Sequence, residues 1–327
     1  MTKRRRLHRL PPFLLVIFCL ISCGDEEIDP IYKERMREFV ISISDYAKTI
    51  HPGFLIIPQN GIELVTDDGE ETGSASTLYL AAIDANGQED LYYGYSRDDV
   101  ATPLAERSYL INFLNISKDS GNNVILVTDY CYSHSNITDS YSKNLERGFV
   151  SFAATHRELD NIPSNPAQPH LENDSNITEI TQVKNFLYMI NPSLFSSKEE
   201  LIQTLATTNY DLFIMDLFFS EEMALTADDI MLLKTKANGG SRLVVAYMSI
   251  GEAEDYRYYW DESWLDERPE WLDKENKQWE GNYKVKYWNE EWQAIIYGND
   301  LSYTKKILDA GFDGVYLDII EAFEHFE

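Results

Sequence analysis

What the chain has little of narrows its chemistry first. Its 327 residues include 3 cysteines and 6 histidines. Cys19 and Cys23 lie near the N-terminus, so Cys131 stands alone in the body of the protein and offers neither a disulfide framework nor a thiolate metal site. The histidines are scattered with no pair at ligand spacing, and only His156 falls just past an apolar run. There is no Gly-rich phosphate loop, nucleophile elbow or zinc spacing, and nothing that remains calls for a cofactor. Positive charge is scarce as well: 28 Lys+Arg face 55 Asp+Glu, a net of −27. Such a surface repels nucleic acid and would attract a cationic polymer. Short repeats and low-complexity tracts are absent.

The first residues have the form of an address. Lys3, Arg4, Arg5, Arg6 and Arg9 precede an apolar run from Phe13 to Ile21, which is too short for a comfortable membrane span. Leu20-Ile21-Ser22-Cys23 then has the pattern of a bacterial lipoprotein cleavage box. Residues 1–22 are therefore expected to be a signal peptide, Cys23 the lipidated first residue, and residues 23–30 an acidic tether. Cleavage would take five of the 28 basic residues and leave 23 against 55 acids, a net of −32. The expected location is the cell envelope, with the protein lipid-anchored to the outer membrane or cell surface.

From Phe54 onward, short apolar runs alternate with amphipathic stretches, the pattern of a parallel sheet wrapped by helices. Eight strands are expected: Phe54–Pro58, Ala82–Glu89, Val124–Asp129, Phe149–Ala154, Phe186–Ile190, Leu212–Asp216, Leu243–Ser249 and Val315–Ile319. Thr102-Pro103 opens a helix, and Ser196 with Glu199 and Thr226 with Asp229 form capping boxes. The stretch 160–181, rich in Asn, Pro and Ser, has the composition of a surface linker. The last strand is followed by too few residues for the helix that should cover it. Tyr32, Met36, Phe39, Val40, Ile43, Ala47 and Ile50 make one apolar helical face at the other end that could serve. The expected fold is thus α/β, a single (β/α)8 TIM barrel over residues 31–327 that is circularly permuted.

In such barrels the active site gathers at the carboxyl ends of the strands. Acids and amides dominate there. Asp216 ends Leu212–Asp216, Glu252 follows Leu243–Ser249, Asp318 ends Val315–Leu317, Asp129 ends Val124–Thr128, Gln59-Asn60 ends the first strand and Glu89 the second. Tyrosines accompany them, including Tyr93, Tyr247 and Tyr316. Carboxylates with stacking aromatics suit sugar chemistry, in which one carboxylic acid protonates a leaving oxygen and a second carboxylate attacks or activates water. Oxygen-only metal binding by Asp216, Glu252 and Asp318 is the rival use of the same acids.

Three blocks carry a family likeness: Ala246 to Arg257, Lys286-Tyr287-Trp288 with Trp292-Gln293, and Gly311 to Glu321. Together they resemble glycoside hydrolase family 114, in its bacterial extracellular branch related to endo-α-1,4-polygalactosaminidase. Pro58-Gln59-Asn60-Gly61 and Glu89-Asp90-Leu91-Tyr92-Tyr93-Gly94 are similar to blocks that come later in that family, whereas here they come first. That order agrees with a permutation. The resemblance implies Asp318 as nucleophile and Glu89 as acid/base, with Glu252, Asp216, Gln59, Asn60, Asp129, Tyr247, Tyr316 and Tyr93 positioning a polysaccharide substrate. It also implies a surface-anchored hydrolase of an amino-sugar-rich polymer. The alternatives are a non-catalytic glycan-binding lipoprotein and a metal-dependent hydrolase.

Overall fold

A computed structural model describes residues 31–221 and 223–327. The expected signal peptide, Cys23 and tether lie outside the described residues. Eight parallel strands carry the architecture: β1 Leu55–Pro58, β2 Ala85–Glu89, β3 Val124–Tyr130, β4 Val150–Ala154, β5 Phe186–Met189, β6 Leu212–Asp216, β7 Leu243–Ser249 and β8 Gly314–Asp318. They form two parallel sheets, one in the order β1-β8-β7-β6-β5 and the other β2-β3-β4. Gln59, one residue past β1, bridges in parallel to Gly87 of β2. At the far edges Phe152 of β4 lies against Phe186 of β5, with ring centroids 5.7 Å apart. The fold is mixed α/β with parallel sheets, as the alternating pattern predicts.

Helix α1 (Ile31–Ile50) buries the middle of the face read from the sequence: Met36, Phe39, Val40, Ile43 and Ala47 are fully buried, whereas Tyr32 is partly buried and Ile50, in the last turn, is exposed. Each of the larger side chains contributes roughly 1.5–3 kcal/mol by leaving water. The helix packs between α2 (Thr77–Ala82) and α8 (Tyr303–Asp309). Ser44 donates to the Ala82 carbonyl, 2.6 Å, and Tyr46 to the Asn299 carbonyl, 3.1 Å. Beside it, Lys33 Nζ meets the Glu327 carboxylate at 2.6 Å, so the first and last described elements touch.

Helices α3 (Leu104–Gly121) and α4 (His134–Glu146) follow β2 and β3. Helix α6 (Ala227–Leu233) starts on the expected Thr226–Asp229 capping box. Helix α5 (Lys198–Ala206) begins one residue later than its box predicts. Ser197 is the cap and accepts from Glu200 N, while the Glu200 carboxylate accepts from Ser196 N and Oγ. The stretch 160–181 is docked at several points: Ile177 and Ile180 are buried, and Asn173 donates to the Asp211 carboxylate. A three-stranded antiparallel excursion after β7, made by Glu252–Glu254, Asn282–Val285 and Leu272–Glu275, has no counterpart in the sequence pattern. Helix α7 (Glu290–Ile296) follows it.

Candidate active site

Three neighbouring strand ends, β8, β1 and β2, turn through left-handed backbone as soon as the strand stops. Ile319 has φ 59°, Asn60 59° and Asp90 57°. For a β-branched residue such as Ile319 this costs on the order of 1–3 kcal/mol, strain that tends to collect where side chains must be aimed. Two glycines hold the Ile319–Ala322 turn. A Cβ on Gly61 would stand 2.8 Å from Ile320 Cγ2, and one on Gly251 would strike the Ile319 carbonyl and stand 2.6 Å from Ala322 Cβ. Pro58-Gln59-Asn60-Gly61 and Ile250-Gly251 are therefore glycine-bearing because backbone passes close to them.

These turns bring Asp318 and Glu89 into one electrostatic field on either side of β1. Asp318 Oδ2 accepts from Tyr247 Oη at 2.6 Å. Glu89 accepts from Tyr130 Oη and from Asn60 Nδ2 at 3.1 Å, while Asn60 Oδ1 accepts from the Glu89 and Gln88 nitrogens. Burial, and then the Glu89 charge, raise the Asp318 pKa to about 7. Glu321, in the turn past β8, is also held well above the usual carboxylate range by burial and by Asp318, and its Oε2 is buried without a partner. Among the described residues none of these three acids has an ion pair with Lys or Arg.

The floor of the site is tyrosine. Tyr188 of β5 donates to Gln59 Oε1 at 2.8 Å and lies 5.1 Å from the Tyr316 ring. Tyr316 reaches across to Gly87, where any Cβ would strike its hydroxyl. Gln59 and Asn60, just past β1, and Tyr247 and Tyr316, within β7 and β8, thus lie around Asp318 and Glu89.

Four other expected residues are placed differently. Asp129 is fully buried and accepts from Tyr92 N, Tyr93 N, Ser140 and Asn144, which fastens the 91–93 loop to α4. Tyr93 turns its hydroxyl to Asp139, 2.6 Å away. Glu252 is fully buried, with Lys284 Nζ at 2.7 Å and Asn276 and Asn282 as further donors, so its carboxylate anchors the antiparallel excursion. Asp216 pairs with Arg257 at 2.8 Å, and Arg257 in turn holds Glu254 at 2.5 Å. Asp216, Glu252 and Asp318 therefore have separate partners, and among the described residues no three His, Cys, Asp or Glu side chains converge as metal ligands.

The residues around this pair can be set beside known proteins. The family model of glycoside-hydrolase family GH114 matches residues 171–327, which contain β5 to β8 and Asp318. Residues 171–327 belong to glycoside hydrolase family 114. Among similar proteins, an uncharacterized protein of Methanocaldococcus jannaschii is 37% identical over 179 residues, covering 54% of this chain and 49% of that protein. An uncharacterized protein of Thermotoga maritima is 53% identical over 81 residues, 25% of this chain and 24% of that one. A third, from Deinococcus radiodurans, is 36% identical over 118 residues, 36% of this chain and 35% of that protein. The chain spans about half the length of the first relative and less of the other two.

Sequence reasoning missed Tyr188 and Glu321, and did not pair Tyr130 with Glu89. Tyr188 sits inside a continuous apolar strand, Phe186–Met189, where nothing distinguishes it from core. Tyr130 could have been found, since it ends β3 beside the acid that ends β2.

Proposed function

We propose that this family 114 member is a surface-anchored glycosidase that cleaves an amino-sugar-rich polysaccharide, with Asp318 and Glu89 as its two carboxylates. The observation that carries this is the Asp318–Glu89 pair itself: two acids at strand ends flanking β1, with no Lys or Arg ion pair among the described residues and with Asp318 raised to about 7. Glycosidic cleavage requires two carboxyl groups, one to protonate the leaving oxygen and one to attack or activate water. In the free site burial and the Glu89 charge keep Asp318 protonated up to near neutrality.

The resemblance puts attack on Asp318 and proton donation on Glu89. The proton's seat on Asp318 favours direct donation by Asp318 instead. Azide separates the two by the anomer of the glycosyl azide formed: the Ala variant of the attacking group gives the inverted azide, and the Ala variant of the acid/base gives the retained one.

The strand neighbours support a (β/α)8 barrel closed by the Gln59–Gly87 and Phe152–Phe186 contacts, with α1 standing in the ring between α8 and α2. Together with the motif order, the contact of Lys33 with Glu327 supports a circular permutation. Lipid attachment at Cys23 and a location on the cell envelope rest on the N-terminal sequence pattern. A net charge of −27 suits a cationic, partly deacetylated galactosamine polymer. The test is incubation of the soluble domain with such polymers and mass spectrometry of the products. Parent activity that is lost in Asp318→Asn and Glu89→Gln supports the proposal. Retained affinity with no product release would make the protein a non-cleaving glycan binder.

A further inference from the structure

The loop after β4 sends Arg157 back over two strand ends. Its guanidinium carbon lies 3.8 Å above the centre of the Tyr130 ring, whose hydroxyl donates to Glu89. Its Nη2 donates to Asp90 Oδ1 at 3.0 Å and to the Gly94 carbonyl at 2.9 Å, and its Nε donates to Asp98 Oδ1 at 2.6 Å. One planar group thus closes the turn from Asp90 to Gly94 and covers the phenol that faces Glu89. The turn needs closing, because Asp90 and Gly94 have φ 57° and 121°. Asp129 fastens the same loop from below through the Tyr92 and Tyr93 amides.

We infer that Arg157 is a positioning residue, which locks the Tyr130 ring and the Glu89–Asp90 turn so that Tyr130 Oη is held on the Glu89 carboxylate. The inference rests on the reading of Glu89 as one of the catalytic pair. A lysine cannot replace this group, because an ammonium is a point charge and cannot bridge Asp90, Gly94 and Asp98 while lying flat on a ring. Small misplacements of a reacting group cost about 100-fold in rate, so the lock matters even though Arg157 need touch no substrate.

The test uses protein labelled with 13C at tyrosine Cζ and glutamate Cδ, with Tyr130→Phe and Glu89→Gln assigning the two signals. Arg157→Gln is expected to move both signals toward their free positions while other tyrosine signals stay in place. Arg157→Lys is expected to move them partway. On a polymer that the parent cleaves, Arg157→Gln lowers kcat about 10- to 100-fold at unchanged KM. Asp98→Asn, which removes only the Nε partner, gives a smaller displacement of the same signals and serves if Arg157→Gln does not fold. Tyr130 and Glu89 signals that stay in place in the folded variants overturn the inference. A fully active Glu89→Gln enzyme would sink the catalytic reading and leave the signal displacement standing.

Discussion

Two groups of acids end strands in this protein, and they differ in their partners. At β8, β1 and β2, Asp318, Glu89 and Glu321 interact with one another, with tyrosine and asparagine donors and no ion-paired cation among the described residues. At β6 and in the excursion past β7, Asp216 and Glu254 share Arg257, and Glu252 is met by Lys284. Neutralised acids tie the loops to the frame. Among the unneutralised ones, Asp318 keeps its proton up to near neutrality, which is costly for folding and useful for chemistry.

Removing charge should therefore act in opposite directions in the two groups. The largest effect is expected at the unpaired acids: Glu89→Gln and Asp318→Asn should each lower turnover about 1,000-fold without lowering the melting temperature. Initial rates and thermal melts check this, and a loss below tenfold in both variants breaks the comparison. Next in size is Glu252→Ala. It leaves Lys284, Asn276 and Asn282 without their acceptor and should cost about 3 kcal/mol in urea denaturation, with turnover of the folded fraction within a few-fold of the parent.

Most strands were legible because their apolar runs are buried on both faces, and buried parallel strands read as continuous hydrophobic segments; helices α1, α3, α5 and α6 were legible from an apolar face or a start signal. The exception explains itself. Strand β2 is Ala85-Asn86-Gly87-Gln88-Glu89, polar by composition, and Leu91-Tyr92-Tyr93 beside it looks more strand-like. In the fold, Gly87 leaves room for Tyr316, and the Asn86 side chain meets Ser117 on α3. The antiparallel excursion was not legible, because Glu252–Glu254 and Leu272–Glu275 are too short and charged to show a period. Among site residues, position at a strand end could be read, but partners could not. Nothing near Glu252 in the sequence announces Lys284, thirty-two positions later.

A smaller change sharpens the comparison by moving Asp318 without touching its charge. Gly251→Ala places a methyl against the Ile319 carbonyl and Ala322, so the turn past β8 must shift. The expected cost is about 1–3 kcal/mol, together with a drop in turnover that Gly53→Ala does not share, because a Cβ on Gly53 meets only the His51 ring at 3.6 Å. Equal losses in both variants would show that the glycine contact does not aim Asp318.

The smallest expected effect is a tilt of stability with pH. An acid whose folded pKa lies above its unfolded value binds more protons in the folded state, so stability falls as pH rises between the two values. For Asp318 the window runs from about 4, the ordinary aspartate value, to about 7. Asp90, also raised to about 7 by burial, tilts stability the same way. Asp99, Asp139 and Asp229 are lowered by their hydrogen bonds, so their contribution is lost only as pH falls below about 4, outside this window. The parent should therefore be less stable at pH 8 than at pH 5 by on the order of 1–2 kcal/mol, the protonation being shared among coupled groups. Asp318→Asn should flatten that slope, whereas Asp229→Asn, which removes an acid paired with Lys198 and held low, should leave it in place. Urea denaturation at the two pH values measures the difference. An equal slope in parent and Asp318→Asn would mean that Asp318 is already ionised at pH 5, and the distinction between unpaired and paired acids would no longer account for the chemistry.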